Sequence, residues 1–333
     1  MTRPGDAGLP SGDGGGPDVV SPARPAPRAG EVVDMAPRLP GIRGGLAWGM
    51  VRAMRPRQWV KNGLVLAAPL AAGAIVHRNV LIPTGIAFVL FCVASAGVYV
   101  VNDVHDIEED RKHPRKRSRP VAAGVVPIPL AIVMGIVLLV VAVGGAVVLS
   151  RPALAAVIGS YVVLSLCYSF FLKNQAVIDM AVVASGFLLR GIAGGVAAGL
   201  HLSQWFLLVA AFGSLFMVAG KRYSELMLMG DETATRRTLR EYSPSYLRFV
   251  WSLSAGVACT AYSLWAFELG AQRPGVPWAT ISIAPFVLGV LRYAVDIDKG
   301  AAGEPEEIVL RDRVLLAIGA LWAVTVGIEV FAR

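Results

Sequence analysis

The chain has 333 residues, 55% of them hydrophobic and 16% charged, with a mean hydropathy of +0.61. That is too apolar for a soluble domain of this length, so a lipid bilayer must be most of its solvent. The formal net charge of +8 would suit nucleic acid, but the basic residues sit in short loops between apolar runs, where membrane topology puts them, and no nucleic-acid partner is expected.

Residues 1–43 are rich in Gly, Pro, Ala and Asp and have no periodic apolar face, so they are expected to form a disordered cytoplasmic tail. No apolar run precedes residue 60, so no signal peptide is expected and insertion falls to the spans themselves. The remainder, 44–333, is expected to be an all-α transmembrane catalytic bundle. A spanning helix needs roughly 20 apolar residues, and about nine such runs follow, near 62–77, 80–102, 128–149, 153–172, 176–199, 203–220, 246–268, 277–294 and 313–332. The first of them is short.

Ahead of the first run, RAMRPRQWVK sets Arg52, Arg55, Arg57, Lys61 and Trp59 as an interfacial anchor on the positive side. Counting alternately from there, the inside loops collect most of the Lys and Arg, and the outside set is only Arg78, Arg151 and Arg273. The N-terminus is therefore expected inside and the C-terminus outside. The two longest polar loops, about 103–127 and 221–245, then share the cytoplasmic face of an inner (plasma) membrane. Cys92, Cys167 and Cys259 lie inside apolar runs without CxxC spacing and read as small core residues.

Along the second run, the helix continues into Asn102-Asp103-Val104-His105-Asp106-Ile107-Glu108-Glu109-Asp110. At 100° per residue, Asn102, Asp103, Asp106 and Asp110 share one face. Carboxylates gathered at a membrane edge repel each other unless a cation neutralises them. Mg²⁺ fits, because it bridges one or two carboxylates to substrate phosphates, and a diphosphate held through metal is the expected substrate. A solvated acidic helix end balancing the basic run after it is the plainer alternative; His105 and His113 read as incidental.

The basic run RKHPRKRSRP, including Arg117, is placed to close over an anionic substrate, or serves topology alone. Lys173, in YSFFLKNQAVID, either meets phosphate or snorkels at a span end. Arg190 sits deep in the fifth run, where a charge faces the bundle interior; an outer-interface snorkel, a structural ion pair and a substrate contact all remain open for it. Gly191, Gly194, Gly195 and Gly199 beside it read as packing positions. Gly220-Lys221-Arg222-Tyr223-Ser224-Glu225 ends the sixth run, and its charge and fork geometry suit a phosphate. No GxSxG, HExxH or GxxxxGK[ST] arrangement occurs.

NDVHDIEED resembles the NDxxDxxxD motif of the UbiA superfamily of intramembrane prenyltransferases, which are bundles of nine transmembrane helices. Most members carry a second aspartate-rich motif near the sixth-to-seventh-span loop, whereas this chain has KRYSE there, with Asp231 and Glu232 further on. Together RPRQWVKN, NDVHDIEEDRKHPRKRSRPVAAG, YSFFLKNQAVID, FLLRGIAGG and GKRYSEL resemble the branch that makes decaprenylphosphoryl-5-phosphoribose. The resemblance implies a 5-phosphoribosyl 1-diphosphate donor, a decaprenyl (polyprenyl) phosphate acceptor, release of diphosphate and a role in supplying cell-wall arabinan. On that basis Asn102, Asp103, Asp106 and Asp110 are expected to serve catalysis, the three aspartates by holding Mg²⁺. Lys61, Arg117, Lys173, Lys221, Arg222 and Tyr223 are expected to contact substrate, the basic KRYSE segment offsetting the donor's 5-phosphate. An aromatic prenyltransferase of quinone or haem biosynthesis and a lipid transporter are the alternatives. Membrane lipids, and room for a homo-oligomer, complete the expected partners.

Overall fold

The computed structural model describes residues 45–114, 116–229, 237–271, 275–303 and 312–332. The expected tail at 1–43, and Asp231 and Glu232, lie outside the described residues. All regular structure among the described residues is helical. The elements are α1 (Leu46–Ala53), a 3₁₀ stretch (Pro56–Leu66), α2 (Ala67–Ala71), α3 (Arg78–His105), α4 (Ile107–Lys112), α5 (Ile128–Leu149) and α6 (Pro152–Cys167). After them come a π turn (Tyr168–Leu172), α7 (Ile178–Ala198), α8 (Gln204–Met229), α9 (Pro244–Ala271), α10 (Trp278–Ile281), α11 (Ile283–Asp298) and α12 (Arg313–Phe331).

Eight segments among the described residues are long and apolar enough to cross a bilayer, and they coincide with the second to ninth predicted runs. The chain is a multi-pass membrane protein. Large apolar side chains such as Val137, Val140 and Val148 on α5 are exposed because lipid, not water, is their solvent.

The first predicted run takes a different form. Pro56–Leu66 is 3₁₀ over 11 residues, and only the 5 residues of α2 continue it as α-helix. At 2.0 Å per 3₁₀ residue and 1.5 Å per α residue the pair reaches about 30 Å, the thickness of the hydrocarbon core. The tighter coil thus gives a run too short for an α-helical span a bilayer's length, and with the eight helices it accounts for about nine crossings. Beyond α2, Gly73 has φ +66 and a Cβ there would stand 2.7 Å from the Val330 side chain and 2.9 Å from its carbonyl oxygen. The end of the first crossing therefore touches the end of α12, and the last helix finishes on the face opposite the start of the first crossing.

Two apolar clusters organise the bundle, with α7 contributing to both. One joins Val65 of the 3₁₀ stretch to Phe91, Ala94, Ala142, Leu154, Ile158, Tyr161 and Ala193. The other joins Met180 and Ala184 to Phe216, Tyr223, Leu247, Tyr293, Ile297 and Leu315. Small residues set the closest approach: a Cβ on Gly194 would lie 1.7 Å from the Val65 carbonyl oxygen. Backbone meets backbone there, so neither side can rotate away. Gly194→Ala is expected to cost about 3 kcal/mol, the upper part of the overpacking range, read as a lowered thermal midpoint of the purified protein. A variant as stable as wild type would mean that the 3₁₀ stretch and α7 do not touch there.

Candidate active site

The acidic segment lies where α3 gives way to α4. Asp106 is the joint (φ −91, ψ 13), yet its N–H still reaches the Asn102 carbonyl at 2.9 Å and its own carbonyl accepts from Asp110 N–H at 2.8 Å. The helix therefore carries on with only a slight break, and Asp103 and Asp110, seven residues apart, come to one side. Each is about 1% exposed. Arg119 Nη1 bridges them, 3.1 Å from Asp103 Oδ1 and 2.6 Å from Asp110 Oδ2. Arg55, from the start of the first crossing, also donates to Asp103 Oδ1. Asp106 turns to Lys173, whose Nζ stands 2.6 Å from its Oδ1 and 3.9 Å from Glu109 Oε2.

Three aspartates are thus met by Arg55, Arg119 and Lys173. The chain's own cations supply much of the neutralisation for which the sequence pattern points to a metal. One acceptor of the three aspartates is left over: Asp103 Oδ2 is buried and has no hydrogen-bond partner among the described residues. An anionic oxygen in that state costs stability unless something binds it, and it is the kind of hard donor Mg²⁺ takes. Among the described residues no group of three His, Cys, Asp or Glu side chains is preassembled for a metal. That suits an ion sharing one or two carboxylates with phosphate oxygens rather than one in a protein cage.

Lys173 is aimed by its neighbourhood. The π turn widens the end of α6 just before it, a device found often at functional sites, and Thr238 donates to the Lys173 carbonyl at 3.4 Å. Val177 holds a left-handed φ of +69, and its N–H donates to the Tyr242 hydroxyl at 2.6 Å. Tyr242 in turn donates to Asp179. Burial, then the Asp179 carboxylate, hold the Tyr242 phenol above its ordinary range, so it stays a donor.

Asp179 is also the partner of Arg222, at 3.2 Å, and Arg222 reaches Glu225 at 3.0 Å. Successive residues on α8 point about 100° apart, so Lys221, Arg222 and Tyr223 do not converge. Arg222 is buried against α7, while Tyr223 is buried against Trp251 and accepts from Arg248 at 2.8 Å. Lys221 and Lys61 are half-buried and Arg117 is exposed. His105 packs edge-on against Phe170, with ring centroids 4.6 Å apart.

The structure therefore brings together Asp103, Asp106, Asp110 and Lys173 of the predicted set and adds Arg55 and Arg119, while Asp179 and Tyr242 hold the turn that follows Lys173. In the sequence Arg55 reads as an interfacial anchor, and Arg119 belongs to the basic run left open between substrate and topology. Their position in loops on the same face as the acids was the available signal.

Arg190 neither snorkels nor forms an ion pair. It is 6% exposed, and no carboxylate lies within ion-pair distance among the described residues. Its Nε donates to Asn62 Oδ1 at 2.8 Å, Nη1 to the Gly186 carbonyl at 2.7 Å and Nη2 to the Tyr161 hydroxyl at 3.1 Å. The rings of Tyr161, Phe187 and Phe91 surround its guanidinium carbon at 4.8, 5.5 and 5.8 Å.

Comparison with known proteins gives this arrangement a context. Residues 63–307 match the model of the UbiA prenyltransferase family. The decaprenyl-phosphate phosphoribosyltransferase of Mycobacterium tuberculosis is 53% identical over 291 residues, covering 86% of this chain and 95% of that protein. Its namesake from Corynebacterium glutamicum is 49% identical over 291 residues, covering 86% and 88%. Among solved structures, a UbiA homologue from Archaeoglobus fulgidus bound to DMAPP and Mg²⁺ superposes with a TM-score of 0.63 at 16% identity, covering 85% of this chain and 99% of that one; this likeness is one of fold.

Proposed function

The chain belongs to the UbiA prenyltransferase family, and from that premise we propose that it transfers 5-phosphoribosyl from 5-phosphoribosyl 1-diphosphate to decaprenyl (polyprenyl) phosphate. Diphosphate is released, and the product, decaprenylphosphoryl-5-phosphoribose, feeds cell-wall arabinan precursors. The observation that carries this reading is identity at about half of the aligned positions to phosphoribosyltransferases over most of both chains. Support from the site comes from a mixed set of three aspartates and three cations at one membrane edge.

Asp103, through its unpartnered Oδ2, is the first candidate to hold Mg²⁺, with Asp106 and Asp110 beside it and Asn102 one residue away. When bound there, Mg²⁺ would neutralise charge growing on the diphosphate leaving group. Arg55, Arg119 and Lys173 are each about one-quarter exposed, and so remain able to turn from carboxylate to incoming phosphate oxygens. As the ribose C1–O bond weakens, the acceptor phosphate, already ionised near neutral pH, attacks C1 without a dedicated general base. Buried Asp103 and Asp110 keep the cations in place between turnovers. The positive-inside pattern supports a cytoplasmic position for this face, at a plasma membrane.

Purified protein given radiolabelled 5-phosphoribosyl 1-diphosphate and polyprenyl phosphate is expected to move label into lipid only when Mg²⁺ is present. Folded protein that transfers no label, yet joins a polyprenyl diphosphate to an aromatic acceptor, would replace this reading.

A further inference from the structure

We infer that Arg190 is a positioning residue: through Asn62 it holds the 3₁₀ crossing in register with α3 and α7, so that Arg55 arrives at Asp103. For the reaction affected, the inference rests on the function proposed above.

Arg190 lies eleven residues beyond Asp179, about 16 Å into the bundle and near the middle of a bilayer core of about 30 Å. A guanidinium at that depth normally has a carboxylate beside it or lines a water-filled path. Here it has neutral acceptors from three separate elements, the 3₁₀ stretch, α6 and α7. A planar fork with five N–H donors can serve all three at once, which an ammonium on a flexible stem cannot do in fixed directions.

Asn62 is the other half of the clamp. It is 1% exposed; its oxygen accepts from Arg190, and its amide nitrogen donates to Ser95 Oγ at 3.1 Å and to Cys92 Sγ at 3.3 Å. One side chain therefore ties the crossing to α7 and α3 together. A long 3₁₀ stretch needs such a tie, because its own hydrogen-bond geometry is poor. The heights agree as well. Arg55 stands seven 3₁₀ residues, about 14 Å, from Asn62, and Asp103 stands eight α-helical residues, about 12 Å, from Ser95. Fixing Asn62 beside Ser95 thus brings Arg55 level with Asp103. Arg55 itself holds a left-handed φ of 53 just ahead of Pro56, a conformation uncommon for a residue with a Cβ.

The test uses the full chain with Arg190→Gln, Arg190→Lys and, should these fold poorly, Asn62→Ala. Amide exchange within residues 57–66 is expected to quicken by about tenfold or more, with α9 to α12 unchanged, the loss of one charged hydrogen bond being worth about that factor. Donor KM is expected to rise about tenfold while acceptor KM stays within about twofold of wild type, and Arg55→Ala is expected to reproduce this. Because Arg190 acts through Arg55, combining Arg190→Gln with Arg55→Ala is expected to be no worse than Arg55→Ala alone. Unchanged exchange, multiplying effects in the double variant, or full donor affinity in Arg190→Lys would each overturn the inference, the last by showing that charge and not the fork matters. Faster exchange in a protein whose wild type transfers no phosphoribosyl group would uphold the clamp and refute the proposed function instead.

Discussion

Asp103→Asn is expected to lower turnover about a thousandfold while leaving the bundle folded, the upper end of what one preorganised electrostatic contact contributes. The substitution keeps the side chain's size at a position 1% exposed. It removes the negative charge from a carboxylate that carries an unpartnered buried oxygen and receives both Arg55 and Arg119. Arg119 keeps Asp110 as a partner at 2.6 Å, so the local frame survives. Single-turnover transfer of radiolabel, measured beside the thermal midpoint, separates the two effects. Activity within tenfold of wild type would place the reacting diphosphate away from Asp103.

Arg222→Met is expected to act on stability, costing about 3–5 kcal/mol, the range for removing one partner of a buried ion pair. Arg222 is 6% exposed and Asp179 1%, so the change strands a carboxylate at a bundle interface with only Tyr242 and its surroundings to receive it. Adding Asp179→Asn removes the stranded charge and is expected to recover at least half of the lost thermal stability. The sequence pattern assigns Arg222 to a substrate phosphate. A folded Arg222→Met protein of normal thermal midpoint and much weakened donor affinity would restore that assignment and sink this one.

The sequence by itself determined the architecture, because a membrane span is written in a local sum of hydropathy over about 20 residues. Eight predicted runs fall on helices with ends displaced by at most about four residues, except that the helix of the run at 203–220 continues to Met229. The sequence also carries its own argument for which face is inside, since the Lys and Arg bias is a property of each loop alone. The acids Asp103, Asp106 and Asp110 stood out because consecutive turns of one helix bring them together. Hydropathy is blind to pitch, however, and nothing local announced that the first run would be 3₁₀ with its Val65 carbonyl against Gly194.

Partners were the other thing only the tertiary structure decided. Arg55 meets Asp103 across 48 residues, Lys173 meets Asp106 across 67 and Arg190 meets Asn62 across 128. Such pairs depend on how far each helix is rotated and how deep it sits against its neighbours. A basic residue near a span end looks the same in sequence whether its side chain stays exposed, as that of Arg117 does, or grips a buried carboxylate, as Arg119 does. Rotation and depth are set by packing of the whole bundle, in which Gly194 and Asn62 fix one crossing and Asp179 and Arg222 fix another.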